Sequence, residues 1–241
     1  MESFDQICYS HLWWLSKLSF TLEGRGKLKD KDTATAYLEW DRRWKTKEGR
    51  SDWLKPEPEV ISAARDLQKA GASSALDLGC GVGRHSIFLA SLGFFVVAMD
   101  ASRSGIAFTR SQVKSDNIIF LIGLMTELPI EDCCFDYLLA WNVIHHGNRS
   151  IVRQSLDEIR RVIRPGGFFQ GTMLSKSDRR YGNGREIEAD TYILEGEGHP
   201  HFFCDAARLA ELFAGFKVIS LADLKDEATD TKHWHFLAKR I

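Results

Sequence analysis

The segment Ala75-Leu76-Asp77-Leu78-Gly79-Cys80-Gly81-Val82-Gly83 places a carboxylate and three alternate glycines where a buried strand gives way to a helix. Glycines at these positions let the backbone pass close to a ligand where any Cβ would collide. A helix beginning at Arg84 would offer free N–H groups and a positive dipole end to an anionic group. Asp100 closes the next hydrophobic run, Phe94 to Met99, and lies 23 positions after Asp77. That is about the distance at which a second-strand carboxylate meets a ribose diol. Together these residue types and spacings indicate a nucleoside-containing ligand.

The ligand narrows on two residues. A dinucleotide fingerprint wants glycine where Arg84 stands. The Asp77 carboxylate would repel a pyrophosphate but suits an ammonium group. S-adenosylmethionine carries such an ammonium, a carboxylate for the helix end and a ribose for Asp100. Here the chain resembles the class I S-adenosylmethionine-dependent methyltransferases, most nearly the methyltransferase type 11 group, kin to quinone-biosynthesis and tellurite-resistance methyltransferases. Leu128-Pro129-Ile130, Cys134-Phe135-Asp136-Tyr137-Leu138-Leu139 and Arg164-Pro165-Gly166-Gly167 extend the resemblance, which covers about residues 57–241. It implies S-adenosyl-L-methionine as cofactor, bound by Asp77, Gly79, Cys80, Gly81, Gly83, Arg84, Asp100, Ala101, Ser102, Met125, Thr126, Trp141 and Asn142, with Trp44 closing over it. One departure stands out. The group usually has an aspartate for the adenine amino group after the third strand, where this chain has Gly123-Leu124. Backbone groups around Met125-Thr126-Glu127 would then read the adenine, with Leu124 packed on its face.

A sulfonium methyl is already a good electrophile, so in-line displacement depends mainly on holding the nucleophile opposite the leaving sulfur. A base is needed only where the acceptor must lose a proton. His145 and His146 follow the fourth strand in Trp141-Asn142-Val143-Ile144-His145-His146-Gly147, at the end where open α/β sheets bind ligands. Histidine can act as base or orient an acceptor; equally, one of the pair can hydrogen-bond the loop. His145 is expected to face the site. A second group, Tyr181, His199 and His201, lies in the long segment 175–204, read as an acceptor-side insertion. H-x-H is a usable metal-ligand pair, but no third ligand stands at diagnostic spacing, so no metal is assigned. His233 and His235 alternate on the last strand and are expected on the sheet surface.

The elements positioning these residues alternate. Strands are expected near 74–78, 94–99, 117–122, 135–140, 167–174, 216–222 and 233–239, with helices near 84–92, 103–115, 150–163 and 205–214. A further helix starts at Pro56-Glu57-Pro58 and ends by Gly71, and Ser150 is the expected N-cap of the helix carrying Val152, Leu156, Ile159 and Ile163. The fold class is α/β: a Rossmann-like, doubly wound, seven-stranded, mostly parallel sheet in three layers, with an antiparallel last strand. The stretch Lys225 to Lys232 is too short for a helical crossover, so the last two strands pair antiparallel. Residues 36–241 form the catalytic domain, with 36–56 as a lid and 1–35 as an N-terminal extension. Tyr37, Trp40 and Trp44 have helical spacing that suits either a lid over the cofactor or a buried amphipathic helix. Leu12-Trp13-Trp14-Leu15 reads as a stray amphipathic turn and Gly24 to Asp32 as a charged linker.

At 241 residues and 44% hydrophobic, the chain can bury a substantial core. Its net charge of −1 argues against bulk electrostatic capture of nucleic acid or an anionic membrane. Five cysteines without C-x-x-C spacing suggest reduced thiols and a cytoplasmic location. No signal peptide or transmembrane span is evident. No proline follows an asparagine and no cysteine follows a proline, which disfavours methylation of nucleic-acid base amino groups and covalent C5-pyrimidine chemistry. The expected acceptor is a small molecule with an O, N, S or chalcogen nucleophile. Two other classes stay open: a non-catalytic protein of the same fold that binds S-adenosylmethionine or a partner, and an NAD(P)-dependent oxidoreductase.

Overall fold

A computed structural model describes residues 35–226 and 230–241. The proposed extension, its tryptophan patch and the charged linker lie outside these residues, Thr35 apart. The helices are α1 (Ala36–Arg43), α2 (Lys47–Arg50), α3 (Pro58–Lys69), α4 (Arg84–Ser91), α5 (Arg103–Gln112), α6 (Arg149–Val162) and α7 (Ala206–Leu212). The strands are β1 (Ser74–Leu78), β2 (Phe95–Asp100), β3 (Ile118–Ile122), β4 (Phe135–Ala140), β5 (Ile163–Ser175), β6 (Arg185–Glu188), β7 (Thr191–Ile193), β8 (Pro200–Cys204), β9 (Phe216–Asp226) and β10 (Thr231–Arg240).

Strands β3, β2, β1, β4 and β5 lie side by side and parallel. β10 then pairs antiparallel with β5 and with β9, completing the expected seven-strand frame. β1 is buried at every position, because helices cover both faces of the sheet. One layer is built on α6, whose Ile151, Val152, Leu156, Ile159 and Val162 are buried. Each such side chain contributes roughly 1.5–3 kcal/mol by leaving water. The other packs Val60, Ala64 and Leu67 of α3 and Leu89 and Ala90 of α4 against β1 and β2.

Two sequence expectations need correction. Among the described residues the sheet has ten strands, because the segment 175–204 is no open insertion: β6, β7 and β8 form an antiparallel ribbon within it. β8 joins β5 in parallel at Leu174 and Ser175, on the edge β4 leaves free beyond Ala140. The N-cap of α6 is Asn148, whose Oδ1 accepts from the Ile151 N–H at 3.0 Å, with Ser150 already inside the helix. Arg164-Pro165-Gly166-Gly167 lies within β5 at a register shift against β4, with Gly166 at φ +79°. Among the described residues, no helix is long and apolar enough to cross a membrane.

Candidate active site

One cavity opens at the carboxyl ends of β1, β2, β3 and β4, where the strand order reverses beside β1, and a second adjoins it beyond the end of β4. The first is open to solvent, with a cavity volume of about 130 Å³, and is lined by the glycine loop, Asp100, Ala101, Leu124, Met125, Thr126 and Trp141. The loop is held to β2 by N–H donations from Gly79 and Cys80 to the Met99 carbonyl, at 2.7 and 3.0 Å. Gly79, Gly81 and Gly83 all have positive φ, but crowding differs between them. A Cβ on Gly79 would lie 2.3 Å from Val143 Cγ2, and one on Gly83 would lie 2.1 Å from Thr109 Cγ2. At Gly81 the nearest atom is Trp44 Cζ2 at 3.2 Å, across the cavity. Two of the three glycines therefore serve the packing of the protein on itself, and Gly81 is the one facing the ligand space.

Asp100 closes the loop from β2. Its Oδ2 accepts from the Gly81 N–H and its Oδ1 from the Ser102 N–H, both at 2.7 Å. Burial raises its pKa despite those donors. Each oxygen keeps a lone pair for a further donor from the cavity. Asp77 is placed differently from expectation. It is buried beneath the loop and accepts from Ser86 Oγ at 2.5 Å, off the wall of the first cavity. Burial pushes its pKa up to about 6, against the Ser86 hydroxyl and the Arg84 charge. Arg84 donates to Glu57 Oε1 at 2.7 Å and lies over the Trp53 ring, so its charge is answered by protein. Cys80 is on the cavity wall, and burial pushes its thiol well above the usual range.

Residues 36–53 lie over the first cavity. Trp40 and Trp44 stack with centroids 5.1 Å apart, and Trp53 meets both edge-on at 5.3 and 5.8 Å. All three line the cavity with Tyr37. The covering helix is anchored by Asp41, whose Oδ1 accepts from Ser102 Oγ at 2.9 Å and the Ser104 N–H at 2.8 Å. Burial opposes ionisation of Asp41, but donors from Ser104, Ser102 and Lys45 outweigh it and bring its pKa down to about 2.

The second cavity, about 340 Å³, has imidazole and charged side chains on its wall: His145, His146, His199, His201 and His233 with Glu39, Glu197 and Arg180. Trp40, Trp53, Arg84, Asn142 and His146 line both cavities. Asn142 marks the divide: it has φ +57°, and Thr172 Oγ1 accepts its N–H and donates to its Oδ1, both at 2.8 Å. Such a left-handed, over-determined residue is typical of a working site. Burial, reinforced by neighbouring imidazoles, holds His145 and His146 well below the ordinary histidine range. His145 lines only the second cavity, whereas His146 reaches both.

Two sequence expectations fail here. Tyr181 lines neither cavity: its hydroxyl donates to Asp190 at 2.7 Å, and that bond with burial raises its pKa to about 12. His233 and His235 are not on an open sheet surface. His233 is buried 5.5 Å from the His145 ring, and His235 stands edge-on to Trp141 at 4.9 Å. Sequence reasoning also missed His85, which accepts from the Glu57 N–H at 3.2 Å on the wall of the first cavity. It passed over Trp53, Glu39, Glu197 and Arg180 as well. Trp53, nine residues beyond Trp44, was the one with a visible signal.

Residues 75–167 match a family model described as a methyltransferase domain. A demethylmenaquinone methyltransferase of Clavibacter sepedonicus is 34% identical over 110 residues, 44% of this chain and 43% of that protein. A malonyl-[acyl-carrier protein] O-methyltransferase of Pectobacterium atrosepticum is 36% identical over 137 residues, 55% of this chain and 51% of its own length. The chain spans about half the length of these curated relatives. Among solved structures, the 1,6-didemethyltoxoflavin-N1-methyltransferase of Burkholderia thailandensis, with S-adenosylhomocysteine bound, superposes at TM-score 0.64 and 22% identity, covering 86% of this chain and 88% of that one. NodS, an N-methyltransferase of Bradyrhizobium japonicum, gives TM-score 0.66 at 14% identity over 86% and 98%. The strand order and the glycine loop agree with the matched segment: residues 75–167 are similar to a methyltransferase domain, and the fold is that of the S-adenosylmethionine-dependent methyltransferases.

Proposed function

We propose that this protein transfers the methyl group of S-adenosyl-L-methionine to a small molecule, with the cofactor in the first cavity and the acceptor in the second. The observation that carries this reading is the pair of adjoining cavities sharing Trp40, Asn142 and His146 on their walls. One is mostly apolar, with a ribose-competent carboxylate at Asp100; the other is lined by imidazoles and carboxylates. Leu124, Met125 and Thr126 line the cavity beyond β3, where they would hold the adenine. Gly81 leaves room for the amino-acid part beside Trp44, whose ring face suits a sulfonium.

Displacement at the sulfonium methyl needs the acceptor's nucleophilic atom held in line with the breaking S–CH3 bond. His146 and Asn142, reaching both cavities, are the side chains placed to orient that atom. The acceptor's lone pair forms the new bond and the sulfur keeps the electron pair of the old one, leaving S-adenosylhomocysteine. The descriptions of three of the proteins named above carry different acceptors, a demethylmenaquinone, a malonyl-[acyl-carrier protein] and a didemethyltoxoflavin, which supports methyl transfer without choosing an acceptor. Fold alone does not carry the activity, since a [4+2]-cyclase superposes at TM-score 0.55.

The test is transfer of labelled methyl from S-adenosylmethionine to a panel of thiol, hydroxyl, amine and selenol acceptors. Turnover on one class, lost in His146→Ala with cofactor affinity retained, is the expected result. Cofactor binding with no transfer to any class would instead favour a non-catalytic role.

A further inference from the structure

We propose that His146, His199 and His201, with Glu197 beside them, form a binding site for a divalent transition-metal ion of the zinc class. The site stands apart from the methyl-transfer reading, because it rests only on the geometry of these four side chains.

One ligand atom from each of the three histidines lies within 4.8 Å of the other two. His199 Nε2 is 3.1 Å from His146 Nδ1, and Glu197 Oε2 is 2.9 Å from His201 Nε2 and 3.8 Å from His199 Nε2. Tetrahedral zinc, with bonds of about 2.0–2.1 Å, sets its ligand atoms about 3.3 Å apart. The three separations straddle that value, so closing around an ion asks for shifts of a few tenths of an ångström.

The site is held before any ion arrives. A β-bridge joins His146 to His201, and the Phe202 N–H donates to the His145 carbonyl at 2.9 Å. The loop after β4 and strand β8 thus bring together ligands more than fifty residues apart in sequence. Beyond the ligands, Glu39 Oε2 lies 3.1 Å from His199 Nδ1, the carboxylate–imidazole contact that fixes tautomer and ring orientation in metal sites. Imidazole nitrogens with one carboxylate favour zinc-class ions over magnesium or calcium, which prefer oxygen cages.

A self-contained hydrogen-bonded cluster is the competing explanation. In such a cluster His146 Nδ1, His199 Nε2 and His201 Nε2 already serve as hydrogen-bond atoms, so the two explanations differ in whether an ion replaces those bonds. Arg180 does not occupy the space as a counter-charge, since its guanidinium donates to both oxygens of Asp178, at 2.8 and 3.2 Å.

The experiment uses the untagged full chain, stripped by chelator and titrated with Zn²⁺ by calorimetry, with Co²⁺ absorption as a second probe. One zinc per chain is expected, with the intense visible bands of tetrahedral cobalt. Binding should be lost in His199→Ala/His201→Ala and weakened about 10–100-fold in Glu39→Gln. His233→Ala, in the same cavity but outside the ligand set, should leave the stoichiometry at one. No saturable zinc binding, or unchanged binding in the double variant, would overturn the site. If the double variant fails to fold by circular dichroism, Glu39→Gln and Glu197→Gln decide: unchanged zinc affinity in both overturns it. S-adenosylhomocysteine titrated into the same stripped protein reports separately on the cofactor cavity, so the two readings fail independently.

Discussion

Ser102 Oγ donates to Asp41 Oδ1 at 2.9 Å and thereby ties the helix over the site to the N-cap of α5, two residues beyond β2. Asp100, two residues earlier, holds Gly81 through its other face, so loop, strand end and covering helix share one short chain of hydrogen bonds. Asp41→Ala should loosen the covering helix while the sheet stays intact. A lost helix cap costs about 1 kcal/mol, and the expected loss of S-adenosylhomocysteine affinity is larger than that, because Trp40 and Trp44 move with the helix. Calorimetry beside denaturant unfolding checks this; equal losses in both would mean Asp41 serves stability alone.

The glycines should separate by function. Gly83→Ala puts a Cβ into Thr109 at a positive φ, so it should destabilise the fold by roughly 3 kcal/mol or more. Gly81→Ala shares the positive φ, which costs about 1–2 kcal/mol, but meets only the Trp44 ring at 3.2 Å, so unfolding should shift less than in Gly83→Ala while cofactor affinity falls at least tenfold. Similar unfolding midpoints for the two variants would contradict the assignment.

Asp77 makes stability depend on pH in the direction opposite to a salt-bridged carboxylate. Its pKa is raised from 3.8 to about 6, so the folded state holds the proton more tightly than the unfolded chain does. That contribution is fully present below the unfolded value and is lost as pH rises through about 6. Asp77→Asn should therefore be close to wild type near pH 4 and more stable near pH 8, by about 3 kcal/mol at most. Parallel pH profiles for the two proteins would refute a buried, ionising Asp77.

The aromatic cover offers a further check. Trp44 is 5% exposed and packs on Trp40, Trp53 and the Gly81 loop. Binding of S-adenosylhomocysteine should change tryptophan fluorescence, and Trp44→Phe should remove most of that change while keeping micromolar binding. A full signal in the variant would place the ligand elsewhere.

Much of the cofactor side was legible because it is local. The glycines, Asp100 and the residues after β3 sit at fixed offsets from strands whose apolar runs are unmistakable. The acceptor side was not. β6, β7 and β8 are three to five residues long and separated by Gly196, Gly198 and turn residues, so they show no period. β8 is buried throughout, which removes the alternation a half-exposed strand would carry. His233 reads as polar surface in sequence, but β10 places it against His145 across the cavity. Asp77 was assigned to the ligand on charge alone, and only the Ser86 contact reveals that it faces inward.

The most direct measurement is calorimetric titration of S-adenosylmethionine and S-adenosylhomocysteine, with NADH as comparison, into the wild-type protein and Asp100→Ala. Micromolar binding of both adenosyl ligands, none of NADH, and a loss of at least tenfold in the variant is the predicted result. Binding of NADH alone, or unchanged adenosyl affinity in Asp100→Ala, would contradict the assignment of the first cavity.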